Sequence, residues 1–151
     1  MIRVVREFRV DHDLTHVVAY LADFAHTVHW DPGTRECRRI GEGPVEVGAR
    51  WLNTSTFRGR TTRLTYVLER QEPGRLTFTG RNKTATTTDD LHFGAEGGGT
   101  RITYQATISF HGLARLAEPV LKREFERLGD EITQTLPAAL LKALPPSAGL
   151  P

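Results

Sequence analysis

The stretch GTRITYQATISFHGLARLAEPVLKREFERLGDEITQTLPAALLKAL, Gly99 to Leu144, changes its hydrophobic period once, and that change decides the fold. Through Thr100–Phe110 the period is two: Ile102, Tyr104, Ala106, Ile108 and Phe110 share one face, and Arg101, Thr103, Gln105, Thr107 and Ser109 the other, the mark of a strand covered on one side. From Leu113 the period becomes helical and stays so to Leu144. Leu113, Leu116, Val120, Leu128, Ile132, Leu136 and Leu140 form one stripe, widened by Ala117, Leu121, Phe125 and Ala139. The opposite face carries Arg115, Lys122, Arg123, Glu126, Arg127, Asp130 and Glu131. Pro119 lacks an N–H, so the helix is expected to start near it or to kink there.

Upstream of this stretch the chain is a run of short Thr-, Val- and Arg-rich segments separated by GEGP, FRGR, QEPG, GRNK and AEGGG, all hairpin signals. They bound strands expected around 35–40, 49–57, 61–70, 75–80 and 84–93. Before them, IRVVREFRV reads as a first strand in which Val5, Phe8 and Val10 alternate imperfectly with Arg3, Arg6 and Arg9. A helix follows, capped by Asp11 or Asp13, with Leu14, Val17, Val18 and Leu21 at helical spacing. About seven antiparallel strands must twist and curl, and a long helix with a broad apolar stripe buries it by lying in the concave face. Such an arrangement leaves a gap, which alternate strand residues and the helix stripe would line as a pocket. The expected class is α+β, one domain over 1–144, with 145–151 a disordered tail.

Composition excludes several classes. The 151 residues are 38% hydrophobic and 25% charged, as in globular proteins, and 20 Lys plus Arg nearly balance 18 Asp plus Glu for a net charge of +2. The cationic clusters at Arg35, Arg38 and Arg39 and at Arg58, Arg60 and Arg63 have no interleaved aromatics, so no nucleic-acid partner is expected. Cys37 is the only cysteine, which excludes an internal disulfide and points to a reducing, cytoplasmic setting. No run is apolar enough for a signal peptide or a membrane span.

Motif tests are mostly negative. GEGPVEVG and GAEGGGT lack the spacing of a dinucleotide or phosphate loop, and there is no G-x-S-x-G elbow. His12 and His16 lack the glutamate of H-E-x-x-H and read as exposed. In FAHTVHWDPG, Phe24–Gly33, His26 and His29 stand three apart and Asp31 could add an oxygen. Pro32, however, is sufficient reason for a structural corner there, since it pushes Asp31 out of helical geometry. No metal and no cofactor is called for.

What remains is the lining inferred from alternation. If Tyr104 faces in, its neighbours contribute Trp51, Asn53 and Phe57, then Leu64 and Tyr66, Leu76 and Phe78, and Leu91 and Phe93, with Leu121, Phe125 and Leu128 across on the helix. Asp89 is in phase with Leu91 and Phe93, and a carboxyl in an apolar hollow would have a raised pKa and could act as acid or base. A bulge in TATTTDDLHF would instead bring Asp90 in, and a shifted fourth segment would bring in Thr65, Val67 and Arg63.

VVAYLADFAHTVHWDPG, EPGRLTF, GGGTRITY and GLARLAEPVLKREFERL together resemble the polyketide cyclase/dehydrase and lipid-transport families of the START-like helix-grip (SRPBCC) superfamily, over Ile2 to about Leu144. The resemblance implies a helix-grip fold with two short helices after the first strand, and a corner at Trp30-Asp31-Pro32 with Trp30 packing near one end of the pocket. It implies a small hydrophobic ligand such as a lipid, polyketide or aromatic molecule, and in the lining inferred above Tyr66, Tyr104, Asn53 and His26 are the groups expected to orient it. Two other functions stay open. One is an aromatase/cyclase or dehydratase drawing on Asp89, His26, Tyr66 and Tyr104; the other is a partner-binding or chaperone-like protein with an exposed apolar patch. A homodimer is compatible with all three.

Overall fold

Nine-residue β1 (Ile2–Val10) leads into helix α1 (Leu14–Ala22), a 3-10 turn (Phe24–His26) and the single turn α2 (Thr27–Trp30). Then come β2 (Thr34–Ile40), β3 (Arg50–Phe57), β4 (Arg60–Glu72), β5 (Arg75–Arg81), β6 (Ala85–Glu96) and β7 (Gly99–Phe110). A second 3-10 turn (Gly112–Ala117) precedes the 26-residue α3 (Glu118–Ala143). The computed structural model describes residues 1–145, so the tail expected over 145–151 lies, beyond Pro145, outside the described residues. No helix among the described residues is long and apolar enough to cross a membrane.

The strands form one antiparallel sheet in the order β1-β7-β6-β5-β4-β3-β2, so the helices after β1 carry the chain from one edge to the other. The first strand in this order and the next-to-last both reach α3. From the β1 edge, Arg6 bonds Asp130 at 2.8 Å and Glu126 at 2.9 Å, and a Cβ on Gly129 would stand 2.5 Å from Val4 Cγ1. From the far side, Phe57 at the end of β3 stacks on Phe125 with centroids 4.7 Å apart. A sheet whose first and sixth members in order touch one helix has curled around it. Trp51, Phe24, Phe78, Leu68, Leu136 and Leu140 form the sealed core between sheet, α1 and the C-terminal half of α3.

Three local expectations need correcting. Pairing of β1 with β7 is unbroken from Ile2↔Ile108 to Val10↔Thr100, so strict alternation turns Val5 outward and Arg6 inward. Arg6 tolerates this because its stem lies along the sheet while its head reaches the carboxylates of α3. His12 is buried rather than exposed, with Nδ1 2.8 Å from the Pro145 carbonyl. The apolar stripe of the C-terminal segment is half-buried from Leu121 and buried from Ile132, because the sheet ends before it can cover Leu113, Leu116 and Val120.

Local chemistry explains the boundaries. Asp13 caps α1 by accepting from Thr15 N at 3.2 Å, and Asp23 caps the next turn through Ala25 N at 3.0 Å. Pro119 sits in the first turn of α3, where its missing N–H costs nothing. Pro137 lies inside α3 and removes the bond to the Thr133 carbonyl, a break that the apolar period does not reveal.

Candidate functional site

A cavity of about 670 Å³ lies between the concave face of the sheet and the N-terminal half of α3. Its exposed lining residues are Arg58 and Arg60 at the β3–β4 hairpin, Thr84 before β6, and Ala117 and Val120 at the start of α3, which together mark the mouth. Val4, Leu64, Ala106, Ile108, Leu128 and Ile132 form apolar walls. Asp31, Tyr66, Asp89 and Tyr104 form a polar end.

Asp89 reaches the cavity because β6 runs without a bulge: it pairs with Phe78 on one side and Ala106 on the other. Asp90 consequently points out and is bound by Arg75 at 2.9 and 3.0 Å. In β4, Leu64, Tyr66 and Leu68 face in, while Arg63 stays exposed. The irregularity in that strand falls later, between Leu68 and Arg70.

The Tyr104 hydroxyl donates to Asp89 Oδ1 at 3.4 Å, a long contact that leaves the carboxyl with little support. Burial is the main cause that lifts Asp89 to about 7; the charge of Asp31 adds to it and the Tyr104 hydroxyl opposes it. Burial also lifts the Tyr66 and Tyr104 hydroxyls well above the usual tyrosine range, with the Asp89 charge as the next cause in each. Both phenols therefore remain proton donors at any ordinary pH. Thr87 Oγ1 donates to the Tyr66 oxygen at 2.9 Å, so the phenolic proton of Tyr66 is free for another acceptor.

Asp31 belongs to this end although the sequence marks it mainly as a corner. Its Oδ1 accepts from Gly33 N at 3.1 Å and its Oδ2 from Thr34 Oγ1 at 2.8 Å, which holds the carboxyl in place. Burial raises its pKa, and those two bonds partly offset the rise.

Of the residues expected to line the pocket, Phe57, Leu64, Tyr66, Tyr104, Leu121, Phe125 and Leu128 do so. The others lie behind the cavity surface. Trp51, Phe78, Leu91 and Phe93 fill the core, and Trp51 Nε1 donates to Asp23 Oδ1 at 3.0 Å. Asn53 bonds Thr34 Oγ1 at 3.1 Å and accepts from Ser55 Oγ at 2.7 Å, which ties β3 to β2 and the corner. Trp30 packs edge-on against Tyr104 at 6.0 Å.

His26 stacks on Tyr20 and places Nδ1 2.6 Å from the Tyr20 carbonyl, away from Asp89. Among the described residues no three His, Cys, Asp or Glu side chains converge as metal ligands would. Sequence reading did not single out Arg58, Arg60, Thr87 or Ala106 for the site; of these, Thr87 was findable, being in phase with Asp89, and Ala106, being in phase with Tyr104.

Residues 1–140 match the family model described as polyketide cyclase/dehydrase and lipid transport. No individual curated protein matches the sequence. Among solved structures, a protein of Thermus thermophilus superposes with a TM-score of 0.79 at 14% identity, covering 95% of this chain and 99% of its own. A START superfamily protein from Mycobacterium smegmatis gives 0.77 at 9%, covering 94% and 99%. The Zhui aromatase/cyclase from Streptomyces sp. R1128 gives 0.77 at 12%, covering 98% of both chains. At these identities the likeness is one of fold.

Proposed function

Because the chain belongs to the polyketide cyclase/dehydrase and lipid transport family, we propose that it takes a small hydrophobic molecule carrying a carbonyl or hydroxyl group into the cavity beneath α3. The observation that carries this reading is the division of the cavity into apolar walls and one polar end. The walls favour apolar surface by about 25 cal/mol per Å² removed from water. The Tyr66 and Tyr104 hydroxyls supply donors that orient an oxygen.

The convergence of Asp89 and Tyr104 favours a second reading, that of a cyclase or dehydratase, and the fold shared with an aromatase/cyclase supports it. A carboxyl with a pKa of about 7 is balanced between accepting and releasing a proton at neutral pH. In this reading Asp89 takes a proton from the carbon next to a bound carbonyl while the phenols hold the developing enolate oxygen. The enolate carbon then attacks a second carbonyl of the same molecule, and the carbon–carbon bond forms as the new alkoxide takes up a proton. Loss of that hydroxyl together with a neighbouring hydrogen releases water.

Native mass spectrometry of the freshly purified protein tests binding, with a retained small molecule expected. Exchange of the methyl protons of 2-acetonaphthone in deuterated water tests the chemistry. Catalysed exchange should follow one ionisation near pH 7 and fall at least about a hundredfold in Asp89→Asn. Saturable binding without exchange would leave the carrier reading and remove the enzyme one.

A further inference from the structure

Leu113 and Leu116, on the 3-10 turn before α3, are 86% and 78% exposed, and Val120 in the first turn of α3 is 60% exposed. All three stand outside the core, and Val120 borders the cavity mouth. Three exposed large aliphatic side chains within eight residues are unusual on a globular chain, and they mark a contact surface.

The charges around them are mainly positive. Arg115, Lys122 and Arg123 lie in the same stretch of chain as the three apolar residues, and Arg58 and Arg60 line the mouth that Val120 borders. Among the described residues none of these five cations is within ion-pair distance of a carboxylate, and Arg58 acts on Glu124 only from further off. The acids in the same stretch are already engaged, Glu118 by the Met1 amino group and Glu124 by Arg127 at 2.6 Å.

We propose that the surface running from the cavity mouth at Arg58, Arg60 and Val120 to the neighbouring Leu113, Arg115, Leu116, Lys122 and Arg123 docks on an anionic lipid bilayer. Protruding aliphatic side chains that do not pack into a shaped patch suit a fluid acceptor, because hydrocarbon takes them up without a complementary surface. The cations beside them suit phosphate headgroups, each worth about a fivefold gain in affinity near an anionic surface. The mouth would then open onto the bilayer, giving an apolar molecule a route to the cavity that bypasses water. The purpose of the surface rests on the ligand-binding reading, but docking itself is read separately.

Co-sedimentation of the full chain with vesicles of phosphatidylcholine alone, or mixed with phosphatidylglycerol, tests the proposal. Binding should require phosphatidylglycerol and weaken with added salt. Leu113→Glu/Leu116→Glu and Lys122→Glu/Arg123→Glu should each lose at least about tenfold in vesicle affinity. Neither pair lines the cavity or the core, so melting temperature and the binding of 2-acetonaphthone should not change. Failure of the acetonaphthone titration with intact vesicle binding would overturn the cavity reading and leave docking standing. Absence of vesicle binding, equal binding to both vesicle types, or self-association abolished by the leucine variants would each overturn docking. Capture of an acidic carrier protein by this rim, with no vesicle binding, would also overturn it.

Discussion

Asp89 is a carboxyl that keeps its proton on folding. Its pKa is about 7 in the folded chain and about 3.9 in an unfolded one, so between those values the unfolded state is ionised and the native state is not. The stability this protonated group lends is complete below pH about 4 and is lost as pH rises to about 7. Three pKa units correspond to about 4 kcal/mol, and solvent reaching the cavity through its mouth screens part of this, leaving about 1 to 2 kcal/mol. Asp89→Asn keeps the shape but cannot ionise. Its melting temperature should exceed that of the parent by about 4 °C at pH about 8 and converge with it at pH about 4. Equal melting curves at both pH values would mean that the carboxyl is well solvated. Gly80 has a different role: a Cβ there would stand 2.6 Å from the Tyr66 ring, so glycine lets the phenol lie flat on β5. Gly80→Ala should push the ring into the cavity, costing about 1 kcal/mol of stability and about tenfold in affinity for an aromatic probe. Denaturant melts and a fluorescence titration measure the two effects. Asp89 was legible in the sequence because β6 keeps period two through TTTDDLHF, and only a bulge could have moved it. Asp31 was not, since a corner residue has no period to extrapolate and its bonds to Gly33 and Thr34 depend on the turn.

The elements were more legible than their contacts. Each hairpin signal between β2 and β7 fell where a turn is found, because Gly and Asn at those places meet a local backbone demand that tertiary packing does not alter. Amphipathic faces depend on what covers them, and there sequence reading went astray twice. Arg6 faces in because α3 offers it Glu126 and Asp130, acids 120 and 124 residues away. Leu113 and Leu116 continue the helical stripe by period and are bare because the sheet stops short of them. The seat of α3 on β1 is set by Gly129, whose missing side chain lets Val4 approach. Alanine there would gain up to about 1 kcal/mol of helix propensity but meet Val4 Cγ1 at 2.5 Å, and overpacking costs about 1 to 3 kcal/mol. The contact wins, so Gly129→Ala should lower stability by about 1 kcal/mol although the isolated helix would improve. Calorimetry showing a rise in melting temperature would mean that α3 sits loosely on the sheet.

At the scale of the whole molecule the hollow has to be explained, since a sheet curled around a helix could have been filled with larger side chains. Kept dry, about 670 Å³ of cavity would cost on the order of 16 kcal/mol at about 24 cal/mol per Å³, as much as or more than the total stability of a typical domain. A hollow open at Arg58, Arg60 and Val120 avoids that cost by admitting solvent or a guest, and this one keeps its opening beside the exposed rim. Ala106 is the position at which the sequence holds the space open: it lines the cavity from the middle of β7, directly across the ladder from Asp89. Ala106→Phe would occupy the hollow beside the polar end while leaving Asp89, Tyr66 and Tyr104 themselves unchanged. The variant should fold with stability within about 1 kcal/mol of the parent, because a side chain entering empty space gains contacts rather than strain. Its affinity for 2-acetonaphthone should drop at least about tenfold, and the rise in melting temperature that a bound ligand gives the parent should vanish with it. Thermal shift against probe concentration, measured for both proteins, separates the outcomes. A variant that melts like the parent and still responds to the probe would show that the ligand sits elsewhere on the molecule.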